Sequence, residues 1–134
     1  MIEHRSQLAR AAEAFVGVPF RFGGREPATG LDCVGLVLAA LKAIGRTIPD
    51  VPSYRLRQTS IDRFLPLLPE CGFTEIAGDW QPGDVVLVAP GPAQHHLLVR
   101  GSGPFAIHAH AGLRRISMTP TPLPWPTLRN WRIF

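Results

Sequence analysis

The chain is poor in the features that would assign it quickly to several large classes. It has only two cysteines, Cys33 and Cys71, and they are expected to remain unpaired, so no disulfide framework is available. Lysine occurs once, at Lys42, and the thirteen arginines that supply the remaining basic charge are scattered, not gathered in a run with interleaved aromatics. The formal charge of +4 therefore fits an acidic partner without specifying one, and nucleic acid is not expected to be that partner. No apolar run reaches the length of a membrane span, and the start, Met1 to Leu8, lacks the basic-then-apolar layout of a secretory signal. The expectation is a protein made in the cytoplasm that does not enter the membrane. Charged residues are also few, at 18% against 46% apolar, which excludes disorder over most of the length. A chain of 134 residues can bury a core unaided, and a single domain over 1–134 is expected.

Periodicity divides the chain in two. Leu8, Ala11, Ala12, Phe15 and Val16 recur at helical spacing and predict an amphipathic helix ending near Gly17 and Pro19. A shaped loop follows from Val18 to Leu31. A second helix is predicted from Asp32 to about Ile44, with Asp32 as its cap, Gly45 as its stop and Cys33, Leu36, Val37, Ala40, Leu41 and Ile44 on its apolar face. Pro49 and Pro52 mark a loop, and Ser60 to about Leu68 reads as a short helix.

Beyond that point the pattern alternates as strands do: Phe73 to Ile76, Val85 to Ala89, His96 to Arg100, Phe105 to His110, Arg114 to Met118 and Leu128 to Phe134. Gln81-Pro82-Gly83-Asp84 fits a type II turn, and Thr119 to Pro126 is expected to be a connecting loop. Helices first and strands later predict an α+β domain, with N-terminal helices packed on a mainly antiparallel sheet of five to six strands.

Cys33 opens the second helix, where the dipole favours a thiolate by only about 0.3–1 kcal/mol. A thiol of ordinary pKa is a few per cent ionised at neutral pH, so a nucleophilic Cys33 needs an imidazole beside it. Four of the five histidines fall between His95 and His110. His96 to Arg100 and Phe105 to His110 should form a hairpin. A loop from Arg100 to Pro104 would set His96 directly across from His108, so that one ring orients the other, whereas a one-residue slip would put them on opposite faces.

The plainer readings run alongside. A lone cysteine on an apolar helix face is ordinarily core. Asp32 alone is an ordinary helix cap. Phe20, Phe22, Trp80, Trp125 and Trp131 are by default packing residues. His4 is expected to be a solvated terminal residue, His95 and His110 rim residues, and Arg114-Arg115 a solvated strand edge. A zinc site built on His108, His110 and either His96 or Cys33 is the rival chemistry, although no carboxylate or second cysteine stands nearby at a familiar ligand spacing.

Taken together, Pro19-Phe20-Arg21-Phe22-Gly23-Gly24, Asp32-Cys33-Val34-Gly35-Leu36-Val37, Pro82-Gly83-Asp84, His96-Leu97-Leu98-Val99 and Phe105-Ala106-Ile107-His108-Ala109 resemble the NlpC family of papain-like cysteine peptidases, which cut bacterial cell-wall peptides. The resemblance implies a papain-like fold, Cys33 as nucleophile, His96 as base and His108 as the orienting residue. Phe20, Phe22, Asp32 and Val34 would lie in the substrate site, and no metal or organic cofactor would be needed. The family's tyrosine is Phe20 in this chain, its tryptophan is Phe22, and the serine after its nucleophile is Val34. The run Gly24-Arg25-x-Pro27-x-Thr29-Gly30-Leu31-Asp32-Cys33 is similar to members encoded with phage tails and gene-transfer particles. By that likeness the substrate is the peptidoglycan stem peptide, and the protein acts at the wall within a virion or phage-like particle beside tail structural proteins. A catalytically silent tail-assembly or adaptor module of the same fold is the alternative.

Overall fold

A computed structural model describes residues 2–51 and 57–134; Pro52, expected in the second loop, lies outside them. Helix α1 (Ile2–Ala14) is followed by a two-stranded hairpin, β1 (Arg25–Glu26) with β2 (Gly30–Leu31), and by helix α2 (Cys33–Ala43). Helix α3 (Arg57–Phe64) continues into two short 3-10 turns, at Leu65–Leu67 and Pro69–Cys71. Six strands complete the fold: β3 (Phe73–Glu75), β4 (Val85–Val88), β5 (His96–Arg100), β6 (Phe105–His110), β7 (Arg115–Pro120) and β8 (Thr127–Ile133). They form one antiparallel sheet in the order β3-β8-β4-β5-β6-β7.

The expected α+β architecture is the observed one, with three local differences. The region from Val18 to Leu31 contains the small hairpin, too short to show a period. The third helix begins earlier and tightens at Pro66 and Pro69, because proline cannot donate to an α-helical ladder. β7 runs on to Pro120, so Thr119 is in the sheet instead of the loop.

Helix α2 is enclosed on all sides. Residues 33–41 are all buried, so its apolar character is not confined to one stripe. It packs on α1, on the β1–β2 hairpin and on the sheet face formed by Leu97, Val99, Ile107 and Ala109. The opposite sheet face is also covered: Val86, Val88, Leu98 and Ala106 pack under Trp80, Leu123 and Trp125. Covering on both sides explains why β4 reads as the continuous apolar run Val85-Val86-Leu87-Val88.

The turn at Gln81–Asp84 is closed by Asp84 N–H donating to Gln81 O at 3.0 Å, with Gly83 at φ +85° where a type II turn requires positive φ. Asp84 is fully buried and accepts from Arg132 Nε and Nη2, each at 2.9 Å, and from Gln81 N–H at 2.8 Å. His4 is partly exposed and has a partner: Arg46 Nη2 donates to its Nδ1 at 3.2 Å and also to Phe134 O, which ties α1 to the chain end.

Candidate active site

Asp32 caps α2 through both carboxylate oxygens. Oδ1 accepts from Gly35 N–H at 2.8 Å and Oδ2 from Gly23 N–H at 2.9 Å, so one side chain joins the helix to the preceding loop. The two segments approach so closely that a Cβ on Gly35 would collide with Gly24 O, and one on Gly24 with Gly30 O. Glycine at 24 and 35 is a steric requirement of this clamp.

The clamp fixes where the cysteine stands. Phe20 bridges Leu31 in parallel, Pro19 bridges Arg115, and Arg115 is the register partner of His110. Gly17 N–H donates to Ile116 O and Phe20 N–H to Arg114 O, so the segment before the hairpin is stitched to the edge of β7. Two residues after Leu31, Cys33 begins α2. The backbone thus brings Cys33 to the end of the sheet where β5 starts at His96 and β6 finishes at His110. Its side chain is 2% exposed.

His96 and His108 lie on the same face of the sheet and are buried, at 8% and 2% exposure. Nε2 of His96 is 2.9 Å from Nδ1 of His108, with the rings nearly perpendicular at 82°. The expected register is corrected in detail. Val99 pairs with Ile107 and Arg100 with Ala106, so the hairpin is shifted by two residues and the two histidines meet on the diagonal, not directly across. A shift of two preserves the face, and a diagonal neighbour is within reach of a long ring.

Trp125 covers the pair, its ring centroid 6.1 Å from each imidazole and edge-on to both. From the sequence Trp125 reads only as a packing residue. Its place in a proline-rich stretch carries no periodic signal that points at the histidines.

Burial, with a smaller contribution from His110, pushes the pKa of His108 down to about 4. His108 is therefore neutral near pH 7. Because its ordinary value is 6.5, the unfolded chain takes up a proton first as pH falls, and stability should drop between about pH 6.5 and 4 by about 2–3 kcal/mol. Urea unfolding of His108→Gln against the parent checks this: the variant's stability should fall less steeply over that interval. Cys71 offers a contrast. Burial and Glu70 raise its pKa to about 11, with Arg46 opposing, so it is an inert core thiol. Neither cysteine forms a disulfide.

A groove of about 420 Å³ runs over the histidines, lined by residues including Gln94, His95, His96, His108, His110 and Trp125. Cys33 is not part of this lining. Phe22 is 40% exposed, and Phe20 is partly buried against the core. Val34 has no exposed surface, and its side chain packs in the core. Asp32 is also buried, and its carboxylate accepts from the Gly23 and Gly35 amides. His95 sits at the rim, 3.8 Å from Asp62, and the Nδ1 of His110 accepts from Leu113 N–H. Arg115, expected on a solvated strand edge, is exposed.

The zinc alternative finds no ligand set. Among the described residues no group of three or more His, Cys, Asp or Glu side chains is arranged to hold a metal ion. Both ring nitrogens of His108 already face polar partners, His96 Nε2 and Thr119 Oγ1.

Helices packed on one face of a six-stranded antiparallel sheet, with a cysteine at a helix start and paired histidines at the same sheet end, define the papain-like α+β class. The sequence model of the NlpC/P60 family matches residues 17–125, and the chain belongs to that family. Solved structures agree on the fold. NlpC2 of Trichomonas vaginalis superposes with a TM-score of 0.72 at 16% identity, over 96% of this chain and 48% of that one. The P60 domain of an antigen of Mycobacterium avium subspecies paratuberculosis gives 0.67 at 20%, over 98% and 95%. The peptidoglycan hydrolase RipB of Mycobacterium tuberculosis gives 0.65 at 20%, over 98% and 65%. The chain thus spans about half the length of the Trichomonas protein. No curated protein matches it in sequence.

Proposed function

We propose that this protein is a cysteine peptidase that hydrolyses peptide bonds in the stem peptides of bacterial peptidoglycan. The observation that carries the reading is the buried His96–His108 pair at the sheet end to which the loop clamp ties the start of α2. Membership of the NlpC/P60 family supports the substrate, as does RipB, a peptidoglycan hydrolase of the same fold. The net charge of +4 suits a wall polymer that bears carboxylates.

In this mechanism His96 takes the proton of Cys33, and the resulting thiolate attacks the scissile carbonyl. The tetrahedral oxyanion forms at the positive end of α2. His96 then gives its proton to the leaving amine. A water deprotonated by His96 releases the acyl group and regenerates the thiol. His108 holds the His96 ring in place through the 2.9 Å contact, and Trp125 shields that contact from water. Phe20 and Phe22 present apolar rings beside the cysteine loop, which favours an apolar contact with the substrate in place of a tyrosine hydroxyl. No metal or organic cofactor takes part. Action at the cell wall within a phage tail or gene-transfer particle, beside tail structural proteins, is the setting we propose from the Gly24–Cys33 motif.

A second reading has its own support. The 2% exposure of Cys33 also suits a module that keeps the fold as an adaptor and does no chemistry. Mass spectrometry of purified peptidoglycan treated with parent or Cys33→Ala protein decides between them. New stem-peptide fragments from the parent alone support the peptidase. Identical digests from both, or none from either together with no labelling of Cys33 by an electrophile, reject it.

A further inference from the structure

His108 faces a polar atom on each ring nitrogen: His96 Nε2 at Nδ1, and Thr119 Oγ1 at 2.8 Å from Nε2. The threonine is placed by the ladder between β6 and β7. His108 pairs with Ser117 and Ala106 with Thr119, so Thr119 is the diagonal neighbour of His108 on the same face. Ser117, though directly opposite, turns its hydroxyl to Arg115 O at 3.4 Å. A β-branched side chain has few χ1 choices, which keeps the Thr119 hydroxyl aimed at the ring.

We propose that Thr119 is a positioning residue that accepts the Nε2 proton of His108 and so leaves Nδ1 as the acceptor facing His96. The proposal rests on His96 being the base. A base that receives the thiol proton at Nδ1 must carry its other proton on Nε2 throughout the cycle, and that N–H must donate to His108. Were the single proton of a neutral His108 on Nδ1, two donors would meet, or the proton of neutral His96 would move to Nδ1, where it blocks the lone pair that accepts from sulfur. With Nε2–H of His108 donating to Thr119, both ring nitrogens of His108 and Nε2 of His96 have complementary partners, and each bond polarises the next. The rings packed against His108 that also titrate are His96 from β5 and His110 on its own strand, with the exposed Arg115 opposite His110 on β7.

The test uses the full chain with Thr119→Val and Thr119→Ser. Nitrogen-15 NMR of the histidine rings reads the proton of His108, iodoacetamide alkylation across pH reads the ionisation of Cys33, and kcat/KM is followed on purified peptidoglycan. In the parent and in Thr119→Ser the proton is expected on Nε2. In Thr119→Val the Nε2–H signal should weaken or move to Nδ1, alkylation near neutral pH should fall about tenfold with its profile displaced to higher pH, and kcat/KM should fall by a similar factor. Tenfold corresponds to about 1.4 kcal/mol. A proton on Nδ1 in the parent overturns the proposal even if the valine variant does not fold. So does a folded valine variant with the parent's ring signals and alkylation profile. A parent whose Cys33 resists alkylation at every pH instead defeats the thiol reading, while the ring signals still decide the role of Thr119.

Discussion

Release of stem-peptide fragments should fall by on the order of 10⁴-fold or more in Cys33→Ala, and by a comparable factor in His96→Ala, with both variants folded. The factor is large because in the proposed mechanism these two groups act as one unit. Without the sulfur no acyl-enzyme forms. Without the imidazole the thiol returns to a few per cent ionisation at neutral pH, and the leaving amine has no proton donor. The double variant should therefore be hardly slower than either single one, a non-additivity that residues acting separately would not produce. His108→Ala should lose less, since it removes orientation and leaves the reacting atoms in place. Rates from single-turnover digestion of purified peptidoglycan check the series. A His96→Ala protein within tenfold of the parent would eliminate His96 as the base.

Asp84→Ala should cost about 3–5 kcal/mol, measured as the fall in unfolding free energy in urea. A domain has only about 5–15 kcal/mol to lose. The carboxylate is fully buried and takes three hydrogen bonds, two from Arg132 and one from Gln81 N–H, so its removal strands a guanidinium and an amide together. The pair is also mechanical. Arg100 N–H donates to Asp84 O and Gly83 N–H to Arg100 O, so the turn sets the pairing of β4 with β5 and through it the position of His96. Replacing both partners with apolar residues, as in Asp84→Ala with Arg132→Met, should be less damaging than Asp84→Ala alone, because no charge is then left unpaired. A loss under 1 kcal/mol for the single variant would show that the buried pair holds nothing.

Much of this fold can be read from the chain. The helix opening at Cys33 and the strands show in the sequence through Asp32, through apolar runs and, where only one face is buried, through a spacing set by the element's own geometry. The type II turn is equally local: Pro82 and Gly83 fit only certain backbone angles. The β1–β2 hairpin is illegible for the opposite reason, since two residues a side carry no period and the hairpin depends on the close approach of Gly24 to Gly30 and of Gly35 in α2 to Gly24. Thr119 and Trp125 were hidden by composition. Prolines at 120, 122, 124 and 126 make the stretch read as loop, although β7 persists to its first proline and the remainder folds back over the histidines.

The parity of the histidine positions lay in the sequence: His96 and His108 share a face for any even-numbered hairpin shift, because side chains alternate with a period of two. Their contact did not lie there. Whether two imidazoles meet across a rung or along a diagonal depends on the turn the backbone selects between Arg100 and Phe105, and that turn closes with Gly101 N–H on Phe105 O and Phe105 N–H on Gly103 O. Likewise the sequence alone supplied a cysteine at a helix start, a consequence of Asp32 and the apolar run behind it. Only tertiary structure carried that helix end to the histidine end of the sheet, through the stitching of residues 17–20 to β7, and buried His108 deeply enough to keep it neutral. Local propensity acts over a turn or a rung, whereas desolvation and long-range pairing exist only once segments distant in the chain have packed together.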